Sequence, residues 1–255
     1  MEGMQRWKGK VALVTGATSG IGRAVTTALA HQDIRVAFCG RRLSRIQELE
    51  ATLASDGHQA LGLAADLREV ERIEELWDRI HRAWGRVSIL VNNAGFGRRS
   101  SLMEPDIERW REMLEVNVLA LATCSALAVA DMRAEDDLGH IINISSIGAH
   151  RHKPRAVGNG MYVASKHAVR SLTESLRIEL RECGSRIRVS SISPGLVETE
   201  FAEVMDGSRE HARKVYSSIE PLKPDDIANA VLFLLAQPQR SEIHDVLISP
   251  TQQRE

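Results

Sequence analysis

The sequence predicts an α/β fold, a doubly wound parallel sheet of about seven strands with helices on both faces. Three observations predict it. Short apolar runs alternate with longer amphipathic segments along the 255 residues. A glycine-rich turn, Gly16-Ala-Thr-Ser-Gly20-Ile-Gly22, joins the first strand to the first helix,. No Pro- or Gly-rich linker divides the chain and no internal repeat appears, so one domain is the simplest organisation, with a length that supports one full core.

The elements follow in order. Val11–Thr15 is a continuous apolar run ending at the glycines and reads as the first strand; Ile21–His31 carries apolar residues at helical spacing,. The alternation continues with strand Arg35–Cys39, helix Ser44–Ser55, strand Ala60–Ala64, helix Val70–Trp84 and strand Ile89–Val91. Then come helix Ile107–Met132, strand His140–Ile144, helix Tyr162–Cys183, strand Arg188–Ser193, helix Asp225–Gln237 and strand Asp245–Ile248. Right-handed crossovers between such strands predict the order 3-2-1-4-5-6-7. The long irregular regions are Ile147–Met161 and the segment after Pro194, and long loops in a compact domain are usually functional or disordered.

Composition narrows the function classes. Hydrophobic residues make up 43% and charged residues 26%, as in ordinary soluble globular proteins,. The 33 basic and 34 acidic residues leave a net charge of -1, no electrostatic footprint for nucleic acid or an anionic membrane,. Met1–Lys10 is polar and lacks the apolar region of a signal peptide,. The apolar stretch Val118–Ala130, broken by Thr123 and Ser125, reads as too short to span a bilayer and as a buried or subunit-facing helix,. Cys39, Cys124 and Cys183 are far apart, form no C-x-x-C and read as reduced apolar fillers, so a cytoplasmic location is expected,.

The glycine turn has the chemistry of a dinucleotide site. Gly16 allows the tight turn, Gly20 lets backbone approach a pyrophosphate, and Gly22 lets helix pack on strand; Thr18, Ser19 and Ile21 complete the loop at the helix N-terminus,. Where an NAD site needs a carboxylate, at the end of the second strand, the chain reads Gly40-Arg41-Arg42. Glycine there leaves room for a 2′-phosphate and arginine forks bind phosphate, so NADP(H) is favoured over NAD(H), although an Arg pair also suits a solvated helix start. Asp66-Leu67 is placed to meet the adenine, or Asp66 to cap the next helix,. In Asn92-Asn93-Ala94-Gly95, Ala94 and Gly95 leave space for a ligand, while asparagine amides tie strands together,.

Tyr162 and Lys166 lie four residues apart in a helical pattern, so both side chains share one face,. A nearby ammonium favours the phenolate and lowers a tyrosine pKa. Work at neutral pH needs a drop of ~3 units from a free value near ~10, more than one lysine usually supplies.

Taken together, Thr15–Gly22, Asn92–Gly95, Asn117, Ser146, Tyr162/Lys166 and Pro194-Gly195 stand in the order of the short-chain dehydrogenase/reductase family, which the chain resembles from about Lys10 onward,. Arg6-Trp7, Gly139–Asn143 and Ile192–Thr199 strengthen the likeness. The resemblance implies a Rossmann-type fold with a cofactor half over about 10–145 and a catalytic half over about 146–255,. It implies Tyr162 as general acid or base, Lys166 as its activator and ribose ligand, and Ser146 as the donor to the substrate oxygen, with Ser145 the alternative. It implies a water held by Asn117, which equally suits a purely local backbone role. Pro194, Gly195, Val197 and Thr199 would meet the nicotinamide end, and about 197–220 resembles a mobile lid,. A homo-oligomer, dimer or tetramer, and a small ketone or alcohol substrate are implied as well. The alternative is a silent NADP(H)-binding sensor or scaffold.

Ser146 and Tyr162 lie sixteen positions apart, a longer gap than the family commonly has, and the extra residues fall in the basic loop His150-Arg-His-Lys-Pro-Arg155. No metal is expected there, since no carboxylate or cysteine completes a site. Arg151 and Arg155 would favour an acidic or polar substrate if the loop borders the pocket.

Overall fold

The computed structural model describes residues 2–151 and 157–253. The chain begins with a short helix α1 (Glu2–Gln5), then β1 (Val11–Val14), α2 (Gly20–Ala30), β2 (Arg35–Gly40), α3 (Leu43–Ser55), β3 (Ala60–Ala64), α4 (Val70–Trp84) and β4 (Val87–Asn92). It continues with α5 (Ile107–Leu114), a π turn (Glu115–Ala120), α6 (Leu121–Ala134), β5 (His140–Ile144), α7 (Gly160–Glu182), β6 (Arg188–Pro194), α8 (Phe201–Asp206), α9 (Arg209–Ser217), α10 (Pro224–Ala236) and β7 (Asp245–Ile248). The strands form one parallel sheet in the order β3-β2-β1-β4-β5-β6-β7, as the alternation predicts. The order reverses between β1 and β4, which puts a crevice at their carboxyl ends,.

Side chains alternate between the two faces, with one register shift between β1 and β4 that puts Val87 and Ile89 on opposite faces. Ala12 and Val14 enter one core with Val36, Phe38, Ile89 and Val91; Val11 and Leu13 enter the other with Ala37, Cys39, Val87 and Leu90,. α4 shows the matching helical spacing, burying Ile73, Leu76, Trp77 and Ile80 against the second core,. α10 is started by Pro224 at N1 and by Asp226, whose carboxylate accepts the Lys223 amide at 2.8 Å,. Its last turn is finished by the N-terminus. Trp7 Nε1 donates to the Leu235 carbonyl at 3.0 Å, and Arg6 donates to the carbonyls of Leu235 and Gln237. Cations suit the negative end of a helix.

Three expectations change. The helix expected over Ile107–Met132 is interrupted by the π turn, and the lid segment forms two helices. The run Ile107–Ala134 is, by length and composition, long and apolar enough to cross a membrane, so counting only Val118–Ala130 understated it. In the fold it packs on the sheet through Ala120, Cys124, Ala128 and Met132. Cys39 and Cys124 are buried fillers, and burial pushes the Cys39 thiol up to about 12, whereas Cys183 is exposed.

Candidate active site

The glycine turn is shaped by its neighbours. Gly16 has φ +68, and a Cβ there would lie 2.8 Å from Ala94 Cα; one at Gly22 would lie 2.4 Å from Asn93 Nδ2. Asn93 Nδ2 donates to the carbonyls of Thr15 and Gly16, both at 3.0 Å, and the amides of Asn93 and Ala94 donate to Thr15 Oγ1. Asn93 therefore ties the glycine turn to the end of β4. Asn92 spans β4 and β5, donating to Asn143 Oδ1 at 2.9 Å, as expected of a strand tie. Ser19, the N-cap residue of α2, makes no capping bond, so its side chain leaves the first-turn amides uncapped,. Bare glycines and uncapped first-turn amides at the sheet's crossover fit a phosphate-bearing dinucleotide.

At the end of β2 the reading of Gly40 is corrected. A Cβ on Gly40 would lie 2.5 Å from Thr18 Cγ2, so the space beside it is filled by Thr18 rather than open. Arg42 reaches across: Nη2 donates to Thr18 Oγ1 at 3.0 Å and Ser19 Oγ at 2.8 Å, and Nη1 pairs with Glu200 at 2.7 Å. Arg45 pairs with the other Glu200 oxygen at 2.6 Å. Partial burial works to raise the Glu200 pKa, but the bonds and charges of Arg42 and Arg45 outweigh it and hold the carboxyl below its ordinary value. Arg41 is exposed. Arg45 and Glu200 were not singled out in the sequence, because nothing local marks a pair separated by 155 positions.

Asp66 accepts from the amide of Arg68 at 3.1 Å and pairs with its guanidinium, which is the main influence lowering its pKa. It does not cap α4, whose N-cap residue is Glu69, and Leu67 is buried in the second core.

The catalytic candidates converge at the ends of β4 and β5 and along α7. Lys166 Nζ donates to the Ile144 carbonyl at 2.8 Å. Burial pulls its pKa down to about 8,. Tyr162 keeps part of its surface open, yet the protein packed around its hydroxyl pushes its pKa up to about 12, with a hydrogen bond to the Ser146 side chain working the other way. The direction is opposite to the expected lowering, because desolvation outweighs every bond to the phenol. Ser146, not Ser145, meets Tyr162; its hydroxyl also accepts the Gly148 amide at 3.0 Å. Asn117 sits in the π turn, fully buried. It donates to the Phe96 carbonyl at 2.9 Å and Ser165 Oγ at 3.0 Å, and accepts the Phe96 amide at 3.0 Å. A Cβ on Gly95 would lie 3.1 Å from Asn117 Oδ1 and 3.5 Å from Lys166 Nζ, so this glycine keeps the backbone close to both side chains.

The start of α8 lies over Tyr162. The Phe201 ring centroid is 5.3 Å from that of Tyr162, and Gly97 lies close to Phe201, Met205 and Tyr162. Arg98 donates to the Val204 carbonyl at 2.9 Å, and Arg99 pairs with Asp206. Beyond β6, the Gly195 amide donates to the Ile248 carbonyl at 2.8 Å, Pro194 pairs with Ile248, and Val197 bridges to Leu222. The Thr199 methyl would lie 2.9 Å from a Cβ on Gly20, and its carbonyl accepts from Tyr216. Of the basic loop, His150 is turned inward: Nε2 lies 3.1 Å from Ser193 Oγ and 2.9 Å from Asp245. Arg151 is exposed, and His152, Lys153, Pro154 and Arg155 lie outside the described residues.

A serine, a tyrosine and a lysine beside a glycine-lined crevice define a nicotinamide-dependent oxidoreductase site in outline. The family model for short chain dehydrogenase matches residues 10–209, and the chain belongs to that family. It is 42% identical over 255 residues to dehydrogenase/reductase SDR family member 11 of Homo sapiens, covering 98% of each chain. It is 40% identical over 251 residues to the farnesol dehydrogenase of Aedes aegypti, covering 97% of this chain and 98% of that one. Among solved structures, the closed form of serine dehydrogenase complexed with NADP+ has a TM-score of 0.88 at 32% identity, covering 96% of each chain.

Proposed function

We propose that the chain interconverts a secondary alcohol and a ketone with NADP(H), Tyr162 serving as general acid in reduction and as general base in oxidation. The observation that carries this reading is the convergence of Ser146, Tyr162 and, one turn further along α7, Lys166, beneath α8 and beside the glycine turn. NADP(H), when bound, supplies or takes up the hydride. The glycine turn and the α2 amides would hold its pyrophosphate, Arg41 and Arg42 its 2′-phosphate, and Lys166 its nicotinamide ribose. Ser146 donates to the carbonyl oxygen and fixes it against the phenol. A Tyr162 pKa pushed up to about 12 keeps the phenol protonated at neutral pH, the form that reduction needs,. Asn117 keeps the Phe96 backbone in place and stands beside Lys166, where a water would connect the lysine to solvent.

The wall formed by Gly97, Phe201 and Met205 is apolar and favours an uncharged, apolar carbonyl,. The relative named for farnesol supports that class. We also propose a dimer or tetramer, supported by exposed Leu114 on α5, Leu119 in the π turn and Ile178 on α7,.

The test is NADPH oxidation over apolar ketones, hydroxy acids and simple alcohols, with wild type against Tyr162→Phe. Loss of about 10²–10⁴ in turnover with NADPH affinity unchanged is expected. Turnover that survives Tyr162→Phe sinks the mechanism, and tight NADPH binding by wild type without turnover on any substrate points to a silent sensor.

A further inference from the structure

Glu200 occupies an unusual position. It is the N-cap residue of α8, so it is covalently continuous with the lid, yet its carboxylate is bound on the cofactor side of the crevice. Its two oxygens are divided between two guanidiniums, Oε2 with Arg42 at 2.7 Å and Oε1 with Arg45 at 2.6 Å. The remaining donors of Arg42 go to Thr18 and Ser19, in the glycine turn. One guanidinium thus joins the phosphate loop to the lid through a carboxylate. A carboxylate shared by two arginine forks has the charge and the acceptor geometry of a phosphate held by the same forks. The neighbouring Thr199 lies on Gly20, and Phe201 lies on the ring of Tyr162. The same three consecutive residues therefore touch the glycine turn, the arginines and the Tyr162 ring.

We propose that Glu200 is a built-in competitor for the 2′-phosphate of the cofactor, which sets the discrimination between phosphorylated and unphosphorylated dinucleotides and couples that choice to the position of α8. The proposal rests on the NADP(H) reading of Arg41 and Arg42. A 2′-phosphate that takes up the forks of Arg42 and Arg45 meets the Glu200 carboxylate at close range. Two like charges at such separation repel by about 1 kcal/mol even in water, a factor of roughly five in affinity. The carboxylate leaves, and the α8 N-terminus loses its anchor. A ligand without the 2′-phosphate leaves the bridge intact.

The experiment measures binding of 2′,5′-ADP and 5′-AMP to the full chain by calorimetry, for wild type, Glu200→Gln and Glu200→Asp. Hydrogen exchange over Phe201–Asp206 is followed alongside. Glu200→Gln is expected to tighten 2′,5′-ADP by about fivefold or more and to leave 5′-AMP unchanged. Glu200→Asp, too short to hold both arginines, should tighten 2′,5′-ADP by less. In wild type, 2′,5′-ADP and not 5′-AMP should speed exchange at the start of α8, and Glu200→Gln should show that faster exchange without ligand. Equal affinities of wild type and Glu200→Gln for 2′,5′-ADP overturn the proposal, as does weaker binding by Glu200→Gln, which would make Glu200 an organiser of the arginines. Failure of the underlying reading looks different: wild type would then bind both nucleotides equally, and Arg42→Ala would change neither.

Discussion

A buried ammonium at Lys166 donates to the Ile144 carbonyl, and burial still pulls its pKa down to about 8. The unfolded chain, with a lysine near its ordinary value of 10.5, binds the proton more tightly than the folded one between these two values,. Stability therefore rises as pH climbs from about 8 to 10.5, and at pH 7 the charge costs roughly 3 kcal/mol,. Lys166→Met removes that cost but strands the Ile144 carbonyl, which returns about 1 kcal/mol or more. The variant should be inactive yet more stable than wild type by on the order of 1–2 kcal/mol at neutral pH. Thermal unfolding across pH checks this: the gap should close as pH passes through the window, and a gap that is constant with pH contradicts it. At this scale the sequence was only half legible. The residue types and spacing of Tyr162 and Lys166 announced the chemistry, but the direction of the Tyr162 shift was not visible. Desolvation depends on packing from residues far away in the chain, such as Phe201 in the lid.

The π turn is the element that the sequence concealed. Apolar spacing reads a helix straight through Glu115–Ala120, because one wider turn leaves the pattern on either side almost intact,. The turn nonetheless presents Asn117 to both backbone groups of Phe96. Asn117→Ala leaves that part-buried amide and carbonyl without their side-chain partner, at about 2–4 kcal/mol in total,. The expected unfolding midpoint falls by roughly 5–10 °C in scanning calorimetry. A midpoint within about 2 °C of wild type would show that the turn holds Phe96 without the side chain. The strands and the glycine turn, by contrast, were legible because their signals are local: short continuous apolar runs, buried on both faces, and glycines where a Cβ has no space. Glu200 with Arg45, and Thr18 packed on Gly40, depend on chain segments meeting across the crevice.

At the scale of the whole molecule, both faces of the sheet are covered, and apolar surface remains at Leu114, Leu119 and Ile178. Light scattering at micromolar concentration should report a dimer or tetramer, and Leu119→Glu should shift it toward smaller species. A monomeric wild type refutes the assembly. The contact between the N-terminus and α10 has a consequence for the order of folding during synthesis. Trp7 donates to Leu235, 228 positions later, and Arg6 reaches carbonyls in the same turn. A ribosome releases the first strands long before it releases α10, and domains assemble largely from the N-terminus onward. The Trp7 indole must therefore wait for its Leu235 partner until the 228 positions between them have been made, so an early-made residue completes its hydrogen bonding late.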